Sequence, residues 1–297
     1  MSTHNRRSAI KNMVAGSAAV VVGGSMLSSF TQPGEKETAM TKLKGNINHS
    51  VCRWCFSDFS VEDLCKAVKK IGFSAIDLIG PADWHILQQY GVYSSMCYTS
   101  GENSLTKGWN DKSQHARLIK DHTDIIPLMV QAGYKDVICF SGNRNGMDDE
   151  TGLKNCVEGL KQVLPLAEKN GITIQMELLN SKINHKDYMC DKTAWGVELC
   201  KRLNSNNFKL LYDIYHMQID EGDVIRTIRD NSQYIGHYHT AGVPGRNEID
   251  ETQELYYPAI MNAIKEVNFK GYVAQEFIPK AKDKLASLKK AVEICDV

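Results

Sequence analysis

Eight short runs dominated by apolar residues recur along the chain: "INHSVC" from Ile47, "AIDLIG" from Ala75, "VYSSMCY" from Val92, "DVICFSG" from Asp136, "ITIQMELLN" from Ile172, "FKLLYDIYH" from Phe208, "YIGHYHTAG" from Tyr234 and "GYVAQEFIP" from Gly271. Their length and β-branched or aromatic content predict strands. Between them lie segments with helical spacing of apolar positions, such as "VEDLCKAVKKIG", "HARLIKDHTDIIPLMVQAG", "GLKNCVEGLKQVLPLAEKNG", "TAWGVELCKRLN" and "YYPAIMNAIKEVNF". Gly72, Gly133 and Gly171 stand where helices commonly stop. Strand followed by helix, repeated eight times, predicts a closed (β/α)8 TIM barrel over residues 41–297. The rival open, doubly wound sheet would carry a glycine-rich phosphate loop after its first strand, and "SVCRWCFSDFS" contains no glycine.

The first forty residues do not share this pattern. Arg6 and Arg7 precede the small, apolar "NMVAGSAAVVVGGSML", then a polar stretch with Pro33 and Gly34. Paired arginines ahead of a short hydrophobic run fit a twin-arginine export signal with its linker, residues 1–40, too short for a stable membrane span. The expected location is periplasmic, or cytoplasmic should these residues not act as a signal.

Composition narrows the function. Thirty-five basic residues balance thirty-five acidic ones, so no net field favours nucleic acid or an anionic membrane, and a small-molecule ligand is expected. The nine cysteines are an odd number without repeated pairs, which argues against a disulfide framework. "CRWC" at 52–55 lacks the second pair of a structural zinc site and reads as packing beside Trp54.

In a TIM barrel the chemistry sits at the C-terminal ends of the strands. The fifth predicted strand ends with Glu177, the sixth with Asp213, the seventh with His239 and the eighth with Glu276, at separations of 36, 26 and 37 residues, each close to one βα repeat. Four adjacent strands would bring these side chains to one rim. Three converging carboxylates repel and raise one another's pKa, a cost that a divalent cation removes. The oxygen-rich set with one imidazole suits Mn²⁺ or Mg²⁺ best, with Co²⁺ or Zn²⁺ also compatible. His216, three residues past Asp213, is expected to reach back from a loop, and His237 to stand one layer below His239 as a core or supporting histidine. Asn180 and Trp54 are further candidates for contact with a ligand, with His49 and His185 as weaker ones.

"MELLN", "DIYHMQ", "GHYHTAGVPGR" and "AQEF", in this order and spacing, resemble the hydroxypyruvate isomerase and ketose 3-epimerase branch of the xylose-isomerase-like barrels. The resemblance implies one divalent metal held by Glu177, Asp213, His239 and Glu276. It also implies Glu177 and Glu276 as the acid/base pair, and substrate contacts from His216 and Arg246. His239 follows the epimerase pattern, whereas "AGVPGR" follows the isomerase spelling. The implied reaction is isomerisation or epimerisation of a sugar or hydroxy-keto acid through an enediolate, and barrels of this kind often form homodimers. Two other readings are a catalytically idle sugar-binding barrel and a DNA-repair enzyme of the endonuclease IV type. The latter requires additional histidines that "MCYTS" and "CFSGN" lack.

Overall fold

The helix Val61–Ile71 shows how local sequence fixes each repeat. Ser60 caps it by accepting from the Asp63 backbone N–H, Glu62 and Asp63 occupy its first turn, and Lys69 and Lys70 its last, each charge placed to oppose the helix dipole. Leu64, Cys65, Val68 and Ile71 form its buried stripe, and Gly72 ends it in the left-handed conformation. The computed structural model describes residues 42–99 and 105–297; the expected export signal lies outside them.

Eight strands follow this logic: β1 Asn48–Val51, β2 Ala75–Ile79, β3 Tyr93–Cys97, β4 Asp136–Cys139, β5 Thr173–Glu177, β6 Phe208–Asp213, β7 Ile235–Thr240 and β8 Tyr272–Gln275. They form one parallel sheet in the order β1-β8-β7-β6-β5-β4-β3-β2, closed between its ends by a parallel bridge from Cys52 to Asp77. The predicted barrel is therefore present. Most apolar side chains pack between strands and helices, while Met96, Ile138 and Leu211 form a smaller cluster of their own.

Three details differ from the expected elements. The single helical segment expected over 152–171 is two helices, Asp149–Leu160 and Leu164–Asn170, broken next to Pro165. Glu276 lies one residue beyond β8, at the start of the following loop. His216 sits in the first turn of a helix, Ile214–Asp220, that begins directly after β6. The loop expected there is absent because Asp213 ends the strand and caps the helix at once: its Oδ1 accepts from the His216 backbone N–H at 3.1 Å.

Candidate metal and acid/base site

Strand alternation sends Glu177, Asp213 and His239 inward at the C-terminal rim, and Glu276 joins them from the end of β8. One ligand atom from each of the four lies within 4.8 Å of the others, and all four residues are buried. This is a cluster able to hold a metal ion. His239 Nδ1 lies 3.1 Å from Glu177 Oε1 and 2.8 Å from Glu276 Oε2.

The far side of His239 holds a residue that the sequence does not single out. Its Nε2 lies 2.7 Å from Asp77 Oδ2, and His237 Nε2 is 3.3 Å from the same oxygen. Ser95 Oγ donates to Asp77 Oδ1 at 2.7 Å. Burial opposes ionisation of Asp77, but the two histidines outweigh it and hold the carboxyl well below its usual range. His237 is thus the supporting histidine that its position one layer down suggested. Cys52 Sγ, 3.5 Å from Asp77 Oδ2 and 3.8 Å from His239 Nε2, belongs to this buried group as well as packing near Trp54. All nine cysteines are free and buried.

Arg246 enters from the loop after β7 and takes a left-handed backbone conformation, φ 59°. Its Nη2 lies 2.5 Å from Glu276 Oε2 and 3.5 Å from Asp213 Oδ2. The guanidinium lies over the rings of Trp54 (5.0 Å to the centroid) and Tyr215 (5.6 Å). Trp54, from the short 3-10 helix Arg53–Phe56, also donates its indole N–H to Glu276 Oε1 at 2.8 Å. Trp54 therefore both reaches the cavity, where a ligand could touch it, and holds Glu276.

His216 is fully buried. Asn180 Nδ2 donates to its Nδ1 at 2.6 Å, which assigns the proton of the neutral ring to Nε2. Asn180 is itself fixed, its Oδ1 accepting from the backbone N–H of Ile183 and Asn184. It lies behind His216 and acts on it rather than lining the cavity. His185, whose ring centroid is 5.2 Å from that of His216, does reach the cavity. His49 is elsewhere, near the N-terminal end of β1, 3.6 Å from Asp296.

The electrostatics match an oxygen-rich site that lacks enough positive charge. Burial, and then the charge on Glu276, push Asp213 well above the ordinary carboxylate range; Glu177 is raised for the same reasons. Burial also opposes the charge on Glu276, but Arg246 and His239 overcome it and hold that carboxyl well below its usual value. Burial and then Arg246 lower His216, keeping its imidazole neutral. Asp213 Oδ2 and His216 Nε2 are buried without any hydrogen-bond partner. Such orphaned atoms are costly unless something else engages them. The two lie 3.6 Å from one another at the edge of the cluster, and a cation with a bound hydroxylated ligand would satisfy them.

Above the cluster opens a cavity of about 670 Å³, reached by Glu177, Glu276, Arg246, Trp54 and His185. The strand ends at Thr99 and Ser141 contribute no histidine to the rim. The extra zinc ligands of an endonuclease IV-type cluster are therefore missing at these two positions.

Comparison with known proteins agrees with this architecture. A 2-oxo-tetronate isomerase of Pectobacterium atrosepticum is 25% identical over 255 residues, 82% of this chain and 94% of its own. A D-psicose 3-epimerase of Ruminiclostridium cellulolyticum is 29% identical over 134 residues, 44% of this chain and 43% of its own. The crystal structure of AP endonuclease, family 2, from Brucella melitensis superposes with a TM-score of 0.72 at 21% identity, covering 82% of this chain and 97% of that one; this likeness concerns the fold alone. Relatives named as isomerases and epimerases support an isomerase of the hydroxypyruvate isomerase type here. Residues 65–294, well over half of the chain, match the xylose isomerase-like TIM barrel family, to which this protein belongs.

Proposed function

We propose that the protein is a divalent-metal-dependent isomerase or epimerase of a sugar or hydroxy-keto acid that works through an enediolate. The observation that carries this reading is the convergence of four buried ligand atoms within 4.8 Å, with Asp213 Oδ2 left without a hydrogen bond. Glu177, Asp213, Glu276 and His239 Nδ1 would hold the cation. Their hard oxygen donors favour Mn²⁺ or Mg²⁺, while the imidazole keeps Co²⁺ and Zn²⁺ compatible. When bound, the cation supplies Lewis-acid stabilisation for the negative charge that develops on the substrate's oxygens.

The remaining chemistry falls to the side chains. A proton on carbon beside a carbonyl is weakly acidic, so a fixed base must take it and an acid return it. Glu177 and Glu276 are assigned these roles, because both reach the cavity and both approach Nδ1 of His239, from the ends of two different strands. Return of the proton to the neighbouring carbon gives isomerisation, and return to the same carbon from the other face gives epimerisation. Arg246, lying over two aromatic rings, and His216, its Nε2–H set by Asn180, are assigned to the substrate's oxygens. Trp54 fixes Glu276 and roofs the guanidinium.

Asp77 enters this scheme as the group that positions His239. A carboxylate holding the Nε2–H leaves Nδ1 free to donate its lone pair. Asp77→Asn is accordingly expected to lower Mn²⁺ affinity about 10- to 100-fold, read by calorimetric titration. Unchanged affinity would remove Asp77 from the metal site.

Function is tested by incubating the protein with Mg²⁺ and hydroxypyruvate, 2-oxo-tetronate or a panel of ketoses and following products by proton NMR. A new aldehyde, ketone or epimer supports the reading; if all of them persist unchanged while binding with ordinary affinity, the idle sugar-binding reading takes its place. Residues 1–40 are proposed to act as a twin-arginine export signal. Recovery of the protein solely from the cytoplasm in cell fractionation would contradict that address.

A further inference from the structure

The cavity above the four-residue cluster is built of two unlike halves. Glu177, Glu276, Arg246 and Arg53 supply its charged groups, whereas Leu78, Tyr98, Ile138 and Phe140, from the ends of β2, β3 and β4, give it an apolar wall. The volume of about 670 Å³ equals that of roughly twenty waters at about 30 Å³ each. A four-carbon oxo acid fills a minor part of such a space, and every one of its carbons carries oxygen.

The apolar half is set up by an irregularity in the barrel. Asp77 pairs with Met96 and Ile79 with Cys97, leaving Leu78 out of register as a bulge. Ile76 and Ile79 join the main core, while Asp77 reaches the histidines inside the barrel and Leu78, which also touches the main core, packs with the inner cluster of Met96, Ile138 and Leu211. Two successive residues of β2 thus face inward, which regular alternation forbids and a bulge permits. Leu78 takes φ 55° to do so, a left-handed conformation that is strained for a branched side chain. Glycine would form the same bulge without strain and would still aim Asp77 at His239. Leucine at this position packs against both hydrophobic clusters and adds apolar surface to the cavity.

We infer that the substrate is an α-hydroxy ketone or aldehyde of carbohydrate type that carries an alkyl or aryl substituent, whose apolar part lies against Leu78, Ile138 and Phe140. This rests on the enediolate reading above and names the substrate class within it. Burial against the wall contributes through the hydrophobic effect, and each added methylene removed from water is worth about a fourfold change.

The test uses the full-length protein with Mg²⁺ in D₂O and two probes that share the chelating head, hydroxyacetone and phenethyl hydroxymethyl ketone. Exchange of the carbon-bound protons is followed by NMR, and binding is measured by calorimetry. Burial of about three of the added carbons raises kcat/KM for exchange about 60-fold, and Phe140→Ala is expected to cut that ratio by at least about fivefold. Equal exchange and equal binding of the two probes would overturn the inference. Absence of exchange with both would overturn the enediolate reading instead; calorimetry then still decides on the wall, tighter binding of the phenethyl probe supporting it and equal binding refuting it.

Discussion

Replacing Glu276 by glutamine is expected to lower turnover by about three orders of magnitude in a protein that still folds. The amide preserves the shape of the side chain and can still accept from the Trp54 indole, which donates to Oε1 at 2.8 Å. It cannot carry a proton to or from carbon, and it no longer offers charge to Arg246 or His239, which approach Oε2 at 2.5 and 2.8 Å. Removing one member of a buried ion pair costs about 3–5 kcal/mol when the other charge is stranded. Arg246 retains part of its compensation through Asp213, 3.5 Å away, so the loss of stability should fall at or below the lower end. Steady-state kinetics and a thermal melt on the same preparation separate the two effects. Full turnover in Glu276→Gln would exclude this residue from the acid/base pair.

Asp213 offers a cleaner separation of metal binding from folding, because one side chain does two jobs. Oδ1 caps the helix Ile214–Asp220 through the His216 backbone N–H, while Oδ2 is buried without a hydrogen bond, the Arg246 guanidinium standing 3.5 Å away. Asparagine is as good a capping residue as aspartate but lacks the charge. Asp213→Asn is therefore expected to melt within about 2 °C of the parent protein, since each kcal/mol is worth about 2–4 °C in a chain of this size. Its Mn²⁺ affinity should fall at least about 100-fold, more than the loss of a group that merely supports a ligand. Asp213→Ala removes both functions and should lose about 1 kcal/mol in addition. If Asp213→Asn keeps its metal and only Asp213→Ala is impaired, Asp213 is a capping residue alone.

Legibility in the sequence followed the regularity of the backbone. Glu177, Asp213, His239 and Glu276 could be collected from sequence because strand ends recur once per βα repeat and the barrel geometry brings successive ends together. Asp77 could not. It sits within "AIDLIG", and its partner His239 is on β7, across the barrel. Regular alternation would turn either Asp77 or Leu78 outward, and only the bulge turns both inward. A carboxylate in the middle of an otherwise apolar strand was the available signal. Asn180 and His216 were both visible, but their relation was not, because it depends on the helix that Asp213 begins. Pro165 divides the apolar pattern over 152–171 into two helices because its ring cannot follow a helical turn, a break that periodicity alone does not register.

The most direct test of the central claim is solvent deuterium exchange into hydroxypyruvate, 2-oxo-tetronate and ketoses, measured by proton NMR with the protein stripped of metal and again after Mg²⁺ is restored. The account predicts deuterium next to the carbonyl of at least one substrate with Mg²⁺, none without it, and loss of the exchange in Glu276→Gln. Exchange that proceeds equally in the metal-free protein, or that survives in Glu276→Gln, would contradict it.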